Sequence, residues 1–231
     1  MSIAENIARV REEIAAAAKE AGRDPGEITL VGASKMNDAA ACREAIAAGI
    51  DALGENRVQE MTAKLADKAY DGAPLHFIGH LQRNKVKQVV GKVALIQSVG
   101  SMELLEEIEK VAAREQLVQD ILLEVNIGRE EAKSGFDPDA VTAAAEAALS
   151  LPHVRVRGLM TIPPADADRD ANMRYFQEVQ ALYVDINTKL FHNELKCLSM
   201  GMSGDYMDAI RCGATMVRVG TAIFGARNYN I

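Results

Sequence analysis

Cysteine and histidine are both scarce in this chain of 231 residues, which has three cysteines and four histidines. Cys42, Cys197 and Cys212 are an odd number and lack the spacing typical of metal ligands. We therefore expect no disulfide framework, a reducing cytoplasmic location, and thiols that serve as small apolar groups. With so few histidines and no carboxylate cluster beside them, we also predict no metal site.

Long apolar runs and an excess of positive charge are lacking as well. No segment is apolar enough and long enough to cross a bilayer, and the N-terminal residues have no apolar signal-peptide core. The formal net charge of -7 disfavours nucleic acids and anionic membranes as partners. The small basic cluster of Arg83, Lys85 and Lys87 is interpreted as a solvated surface.

What the chain does contain is a regular alternation of short apolar runs and helical patterns. The predicted strands are residues 28–35, 52–56, 75–80, 93–99, 121–126, 156–162, 195–201 and 216–220. Such alternation implies parallel pairing with right-handed crossovers, and eight units fit closure into a single (β/α)₈ TIM barrel, an α/β fold. An open doubly wound sheet is the alternative, but no G-x-G-x-x-G follows the first strand.

Helix start signals complete this prediction. Ser2 and Glu5 form a capping-box pattern, which predicts an extra N-terminal helix before the first strand. Asp137 followed by Pro138 predicts another helix start, and a last helical turn is predicted to end near Arg227. Because no linker-like composition divides the chain, we predict one domain over residues 1–231.

Lys35 ends the first predicted strand, ITLVGASK. In a barrel of this type the chemistry lies at the C-terminal ends of the strands, and the small residues before Lys35 leave room for a planar ring. A partly apolar mouth disfavours the charged amine, and the neutral amine attacks aldehydes. We therefore predict that Lys35 is the attachment point of an aldehyde cofactor, although an exposed lysine would be the simpler interpretation of this residue taken alone.

Segments rich in glycine and hydroxyl groups follow the seventh and eighth predicted strands. They are SMGMSG at 199–204 and GTAIFG at 220–225. Backbone N–H groups in such turns bind phosphate, and barrels often place phosphate in these two loops. The segments predict a phosphate site, whereas the competing interpretation is that their glycines are only turns and helix caps.

Arg218 lies inside the apolar strand MVRVG, where it needs a buried partner. An arginine only donates hydrogen bonds, so the nitrogen of a pyridine ring is a suitable acceptor. A ring nitrogen that faces arginine stays unprotonated, which makes the ring a weaker electron sink than one that faces a carboxylate.

Two further residues are auxiliary candidates. His80, with His76 nearby, is the candidate general base, although a lone histidine at a strand end is more often structural. Lys133 lies in a loop on the same face of the barrel and is a candidate auxiliary lysine.

Motifs spread over essentially the whole chain resemble those of the pyridoxal phosphate homeostasis protein family. They are VGASK at 31–35, GEN at 54–56, HFIGHLQRNK at 76–85, SV at 98–99, EVNIGREEAKSGF at 124–136, GLMTIPP at 158–164, LSMGMSGDYMDAI at 198–210 and RVGTAIFGAR at 218–227. The resemblance implies a barrel of the alanine-racemase N-domain type, a fold-type III protein that holds pyridoxal 5'-phosphate (PLP) as a Schiff base on Lys35. The other residues that it implies are Asn56 and Met160 near the ring, Arg218 at the ring nitrogen, and Ser199, Met200, Ser203, Gly220 and Thr221 around the phosphate.

One departure from the family pattern follows Lys35. Many bacterial relatives have a second lysine two or three residues after the Schiff-base lysine, whereas this chain has Met36, Asn37 and Asp38. A cofactor-transfer role assigned to that second lysine is therefore in doubt here. Lys133 does match the family motif and is the better auxiliary candidate.

Two functions would use the same site. One is a non-catalytic carrier that buffers and delivers PLP, and the alternative is a fold-type III enzyme such as an amino-acid racemase. Racemisation needs acid/base groups on both faces of the ring, and related racemases resemble a barrel plus a β-domain whose tyrosine, from a partner subunit, supplies the second. This chain ends at Ile231, so we expect that domain to be absent and favour the carrier. A barrel that binds only a sugar phosphate would leave Lys35 unexplained, unless Lys35 formed a Schiff base with the sugar.

The carrier interpretation also sets the expected partners. They are PLP itself and apo forms of PLP-dependent enzymes as recipients, with no nucleic acid and no membrane. Because no two-domain active site demands a dimer, we expect a monomer.

Overall fold

Eight parallel strands close into a barrel in the computed structural model, which describes residues 1–225. Each strand pairs with the next along the chain, and the eighth pairs with the first. The strands are β1 (Thr29–Ala33), β2 (Ala52–Glu55), β3 (Leu75–Phe77), β4 (Leu95–Val99), β5 (Gln119–Val125), β6 (Val154–Thr161), β7 (Cys197–Ser199) and β8 (Met216–Val219). The predicted (β/α)₈ barrel is thus confirmed, and the open sheet is excluded.

Helices surround the barrel and connect its strands. They are α1 (Ile3–Glu20), α2 (Ala39–Ala47), α3 (Val58–Ala66), α4 (Met102–Arg114), α5 (Val141–Ala148), α6 (Arg169–Leu190), α7 (Tyr206–Arg211) and α8 (Thr221–Phe224), with short 3-10 helices at Pro25–Glu27 and Arg83–Gln88. None of the helices in the described residues is long and apolar enough to cross a membrane.

The extra N-terminal helix α1 packs against the segment that follows the last strand, β8. Ser2 and Glu5 form the predicted capping box. The Asn6 amide donates to the carbonyl of Ile223 at 2.8 Å, and Arg9 donates to the carbonyl of Ala222 at 3.0 Å. Helix α1 therefore holds the segment that follows β8, which is one of the two loops predicted to bind phosphate.

Two apolar layers account for the core. A small cluster fills the inside of the barrel, and a larger one lies between the strands and the helices. The inner cluster consists of Val31, Ala52, Leu95, Leu122, Met160 and Met216. Because side chains alternate along a strand, these positions show which residues face the barrel interior and which face the helices.

The predicted bounds differ from the structure at several points. Strand β1 ends at Ala33, so Lys35 lies in the turn after it, and β7 is only three residues long. The helix start predicted at Asp137 is wrong: α5 begins at Val141, and the Asp137 side chain instead accepts from the Asp139 amide and pairs with Arg129. The turn predicted to end near Arg227 lies partly outside the described residues.

Candidate functional site

Lys35 lies in a tight turn at the mouth of the barrel. The amide of Asn37 donates to the carbonyl of Ser34 at 3.1 Å, and the Asn37 side chain donates to the carbonyl of Lys35, also at 3.1 Å. Met36 has a φ of +61°, a conformation that usually belongs to glycine or asparagine and costs other residues about 1–2 kcal/mol. The turn that carries Lys35 is therefore strained and must be held by its surroundings.

A cavity of about 290 Å³ opens beside this turn. Its lining includes Lys35, Asn56, Gly79 and His80. Gly79 lies so close to Asn56 that a Cβ at this position would come within 2.3 Å of the Asn56 carbonyl oxygen. The Asn56 Oδ1 atom is buried and has no hydrogen-bond partner within the described protein. Because a buried, unsatisfied oxygen is costly, this atom marks a position where a bound group would donate a hydrogen bond.

The loops after β7 and β8 meet on the neighbouring part of the mouth. The hydroxyl of Ser203 accepts from the amides of Gly220 at 3.1 Å and Ala222 at 3.4 Å. Two backbone N–H groups therefore converge on one oxygen atom, the arrangement by which proteins bind phosphate oxygens. Gly201 allows the loop after β7 to pack closely against α7, because its φ is +92° and a Cβ there would lie 2.6 Å from the Cβ of Ala209.

The remaining residues predicted at the phosphate and ring differ in their surroundings. Thr221 is exposed at the first position of α8. Met200 is fully buried in the outer core, and its amide donates to the carbonyl of Met216 at 3.1 Å. Met160 lies in the inner cluster of the barrel, paired in register with Ser199. Of these three, Thr221 is thus the one whose side chain lies at the surface.

Arg218 is buried inside the barrel, with an exposed fraction of 3%. Its guanidinium donates to the Ser199 hydroxyl at 2.5 Å and to the carbonyl of Thr161 at 2.8 Å. Burial lowers the pKa of Arg218 to about 10, against the opposing effect of the Glu124 and Asp205 carboxylates. The group is therefore a cation at neutral pH and presents only hydrogen-bond donors.

A chain of hydrogen bonds runs from Arg218 through the interior of the barrel, away from its mouth. The Ser199 hydroxyl donates to Gln97 Oε1 at 2.6 Å, and Gln97 Nε2 lies 3.0 Å from Nδ1 of His76. His76 lines a cavity of about 300 Å³ together with Thr29 and other residues from the starts of the strands. His76 thus lies near the end of the barrel where the strands start, and it does not join His80 beside Lys35. Sequence reasoning missed Gln97, since an amide inside a strand gives no functional signal of its own.

Glu124 is a second residue that sequence reasoning missed. Its side chain is buried, and Oε2 accepts from the hydroxyl of Ser134 at 3.1 Å. Burial raises the pKa of Glu124, against the opposing effects of Ser134, Arg218 and His80. An alternation count along β5 could have found it, because Glu124 lies two residues after Leu122 of the inner cluster and so faces the interior.

The two auxiliary candidates lie on the side of the mouth near β4 and β5. His80 is exposed, and it lines both the Lys35 cavity and a neighbouring cavity of about 610 Å³. Lys133 lines only the second of these and is paired with Glu130 at 2.5 Å. The structure therefore brings His80, but not Lys133, to the cavity that contains Lys35.

Replacing Ser203 with alanine should lower the free energy of unfolding by about 1 kcal/mol, the usual cost of removing a side-chain acceptor from backbone N–H groups at a helix start. Urea unfolding of the cofactor-free protein measures this. Ser150→Ala is the matched control, because the hydroxyl of the exposed Ser150 donates to the carbonyl of Ala147. Equal stability of the two variants would contradict the role given to Ser203.

The closed barrel and the arrangement of its mouth define a class of protein. The family model described as alanine racemase, N-terminal domain, matches residues 2–228. The alanine racemase of Clostridium difficile 630 has the same fold, with a TM-score of 0.71 at 16% identity, over 95% of this chain and 57% of that one. This likeness concerns the fold.

Two proteins that are more similar to this chain than that racemase identify the family within the class. A pyridoxal phosphate homeostasis protein of Aquifex aeolicus is 42% identical over 229 residues, which cover 99% of this chain and 100% of the relative. The structure of PipY from Synechococcus elongatus, described as having PLP bound, has a TM-score of 0.84 at 33% identity and covers 97% of this chain and 100% of its own. The chain therefore belongs to the pyridoxal phosphate homeostasis protein family.

Proposed function

We propose that this protein holds PLP as a Schiff base on Lys35 and takes part in intracellular PLP homeostasis by buffering and delivering the cofactor. The observation that carries the proposal is the cavity in which Lys35 lies beside the buried, unpartnered oxygen of Asn56. The name of the Aquifex aeolicus relative and the PLP described in PipY support the same ligand.

The residues at the mouth fit the chemical groups of PLP. The Lys35 amine would hold the aldehyde carbon through a C=N bond, formed with the loss of one water molecule. Ser203 and Gly220 belong to the loops that would hold the phosphate, together with Ser199, Met200 and Thr221. The ring would lie near Asn56 and Met160. When bound, the cofactor supplies an electron-accepting ring.

Arg218 would face the ring nitrogen. Because the guanidinium donates and keeps its own proton, it leaves that nitrogen unprotonated and weakens the ring as an electron sink. Ser199 and Thr161 already hold the guanidinium by two hydrogen bonds, so the donor is fixed before a ligand arrives. The carrier and the racemase alternative would both use this arrangement, so it supports PLP as the ligand without separating the two functions.

A non-catalytic carrier is the function we favour, because the Aquifex aeolicus relative is named as a homeostasis protein, and a fold-type III racemase is the alternative. Racemisation needs a second acid/base group opposite Lys35. His80 is the histidine at this cavity, and it is exposed to solvent.

We further propose a cytoplasmic, monomeric protein whose recipients are apo PLP-dependent enzymes.

Lys35→Ala tests the covalent attachment. The wild-type protein should gain visible absorption on addition of PLP, and borohydride reduction should leave the cofactor on the peptide that contains Lys35. The variant should lose both signals, because no other amine would be held at the aldehyde. Lys87→Ala, which removes an exposed lysine, is the matched control. Wild-type protein that takes up no cofactor, or labelling that persists in Lys35→Ala, would overturn the proposal.

The racemase alternative is tested separately with the PLP-loaded protein. Incubation with single L-amino acids and chiral analysis would show turnover on the order of 10 per second for a typical enzyme. We expect no turnover of this size. Its detection would replace the carrier by the enzyme while leaving the attachment to Lys35 intact.

A further inference from the structure

A polar cluster lies behind the turn that carries Lys35, on the side that faces the helices. Its buried members are Ser34, Glu55, Lys64 and Tyr70, and its fifth member, Glu60, is partly exposed and also lines the Lys35 cavity. We call these five residues the Glu55 cluster. Oε1 of Glu55 accepts from the Ser34 hydroxyl at 2.6 Å, from Lys64 at 2.7 Å and from the Tyr70 hydroxyl at 3.0 Å. Glu55 is fully buried and Lys64 is 6% exposed.

The Glu55 cluster contacts the backbone on both sides of Lys35. The Lys64 ammonium donates to the carbonyl of Ser34 at 2.8 Å, and Glu60 Oε1 accepts from the amide of Met36 at 2.5 Å. Lys64 and Glu60 are themselves paired at 2.9 Å. The residues immediately before and after Lys35 are therefore held by two charged groups that are bonded to each other.

This attachment explains how the strained turn persists. The two held peptide groups flank Lys35, and the positive φ of Met36 follows directly after the second of them. Charge-assisted hydrogen bonds are about twice as strong as neutral ones. Burial lowers the pKa of Lys64, but its hydrogen bonds to Glu55 and Glu60 outweigh burial and raise the pKa overall. The ammonium therefore stays charged and keeps its three acceptors.

Packing alone would not require these contacts. A buried ion pair gives little net stability compared with apolar side chains of the same size, and helix α3 could be held by such side chains. What the Glu55 cluster does specifically is to hold the backbone at Lys35 in one direction. For bond formation, a nucleophile must be held close to the reacting carbon in a suitable orientation.

We infer that Glu60 and Lys64 are positioning residues that set the direction of the Lys35 amine, so that the Glu55 cluster controls covalent capture of the aldehyde but not binding of the rest of the cofactor. The inference rests on the proposed function. It differs from a general structural role because it separates ligands that carry an aldehyde from those that do not.

Glu60→Leu tests this separation with two ligands. PLP carries the aldehyde, whereas pyridoxine 5'-phosphate has an alcohol in its place and binds without forming a bond to lysine. Loss of the Met36 contact should raise the Kd for PLP about tenfold, the equivalent of about 1.4 kcal/mol, and slow the appearance of the visible absorption. The Kd for pyridoxine 5'-phosphate should stay within about twofold of the wild-type value, since it does not depend on the amine.

Two variants accompany this measurement. Glu60→Gln keeps an oxygen that accepts from Met36 and should restore most of the PLP affinity. The double variant Lys64→Met/Glu55→Gln removes both charges of the buried pair and leaves Glu60, which is partly exposed, without its bond to Lys64. It should lose PLP affinity selectively in the same way. Thermal unfolding of each cofactor-free variant verifies that it is folded, and Glu12→Leu, at an exposed position of α1, is the control.

The outcomes separate the explanations. Equal weakening of both ligands in Glu60→Leu would mean that Glu60 shapes the cavity or touches the ligand, and would overturn the inference. Unchanged binding of PLP would overturn it too. Failure of the wild-type protein to bind PLP would instead overturn the proposed function, and this is seen before any variant is made.

Discussion

Replacing Lys64 with methionine should lower the free energy of unfolding by about 3–5 kcal/mol, because the change leaves Glu55 as a buried charge without its counterion. Glu55 has no exposed surface, and the atoms of the ion pair are 2.7 Å apart. Methionine has a similar volume, so loss of charge rather than a cavity dominates the effect. Urea unfolding of the cofactor-free protein, followed by circular dichroism, measures the change.

The double variant Lys64→Met/Glu55→Gln should recover most of this loss. A glutamine at position 55 carries no charge, and its amide oxygen still accepts from Ser34 and Tyr70, which now bond to Glu55. Replacement of a whole buried ion pair by neutral groups is often close to neutral in stability. A double variant as unstable as the single one would show that the cost comes from packing and not from the unpaired charge.

An exposed ion pair supplies the control for this comparison. Lys110 is 75% exposed, and its ammonium is 3.9 Å from Glu107. Lys110→Met should change the free energy of unfolding by less than about 1 kcal/mol, as surface pairs do. A change as large as that of Lys64→Met would mean that the assay reports loss of net charge rather than burial.

The barrel was predictable from the sequence because its signals are local. Eight apolar runs alternate with helical patterns, and the caps at Ser2, Asp38 and Ser101 are formed by side chains close in sequence to the amides that they accept from. The error at Asp137 has the same origin. Aspartate followed by proline is a good helix start, but the bonds of Asp137 to Arg129 and to the Asp139 amide hold this segment as a turn.

The contacts of the site were less predictable, because they join different strands across the barrel. Arg218 was correctly expected to need a buried partner, yet Ser199 and Thr161 come from β7 and β6, and their approach follows from the closed fold. The contacts of the Glu55 cluster were even harder to predict from the sequence. Glu55 and Lys64 are polar residues of a strand end and a helix, a pattern that on its own indicates a solvated surface.

Acidification should destabilise the protein through His76, by up to about 3 kcal/mol between pH 6.5 and pH 4. Burial lowers the pKa of His76 from 6.5 to about 4. Gln97 Nε2 is a donor that lies 3.0 Å from Nδ1, so the native ring accepts there and gains nothing from a proton on that atom. The neutral ring is therefore the form that fits the barrel.

The sign follows from the two protonation states. Above pH 6.5 the ring is neutral in both the native and the unfolded protein, and its contribution to stability is fully present. As the pH falls from 6.5 towards 4, the unfolded chain binds a proton that the native protein excludes, so the free energy of unfolding decreases. Below about pH 4 both states bind the proton, and the loss from this residue stops growing.

His76→Asn is the variant that isolates this effect. The Asn side chain places an acceptor oxygen near the position of Nδ1 and does not titrate, so the pH dependence of its unfolding free energy should be flatter than that of the wild type. His192→Asn, at an exposed position with a φ of +50°, is the control, since asparagine tolerates that conformation. Urea unfolding at several pH values between about pH 7 and pH 4 gives both slopes. An identical slope in His76→Asn and in the wild type would contradict the assignment, because other titrating groups are common to the two proteins.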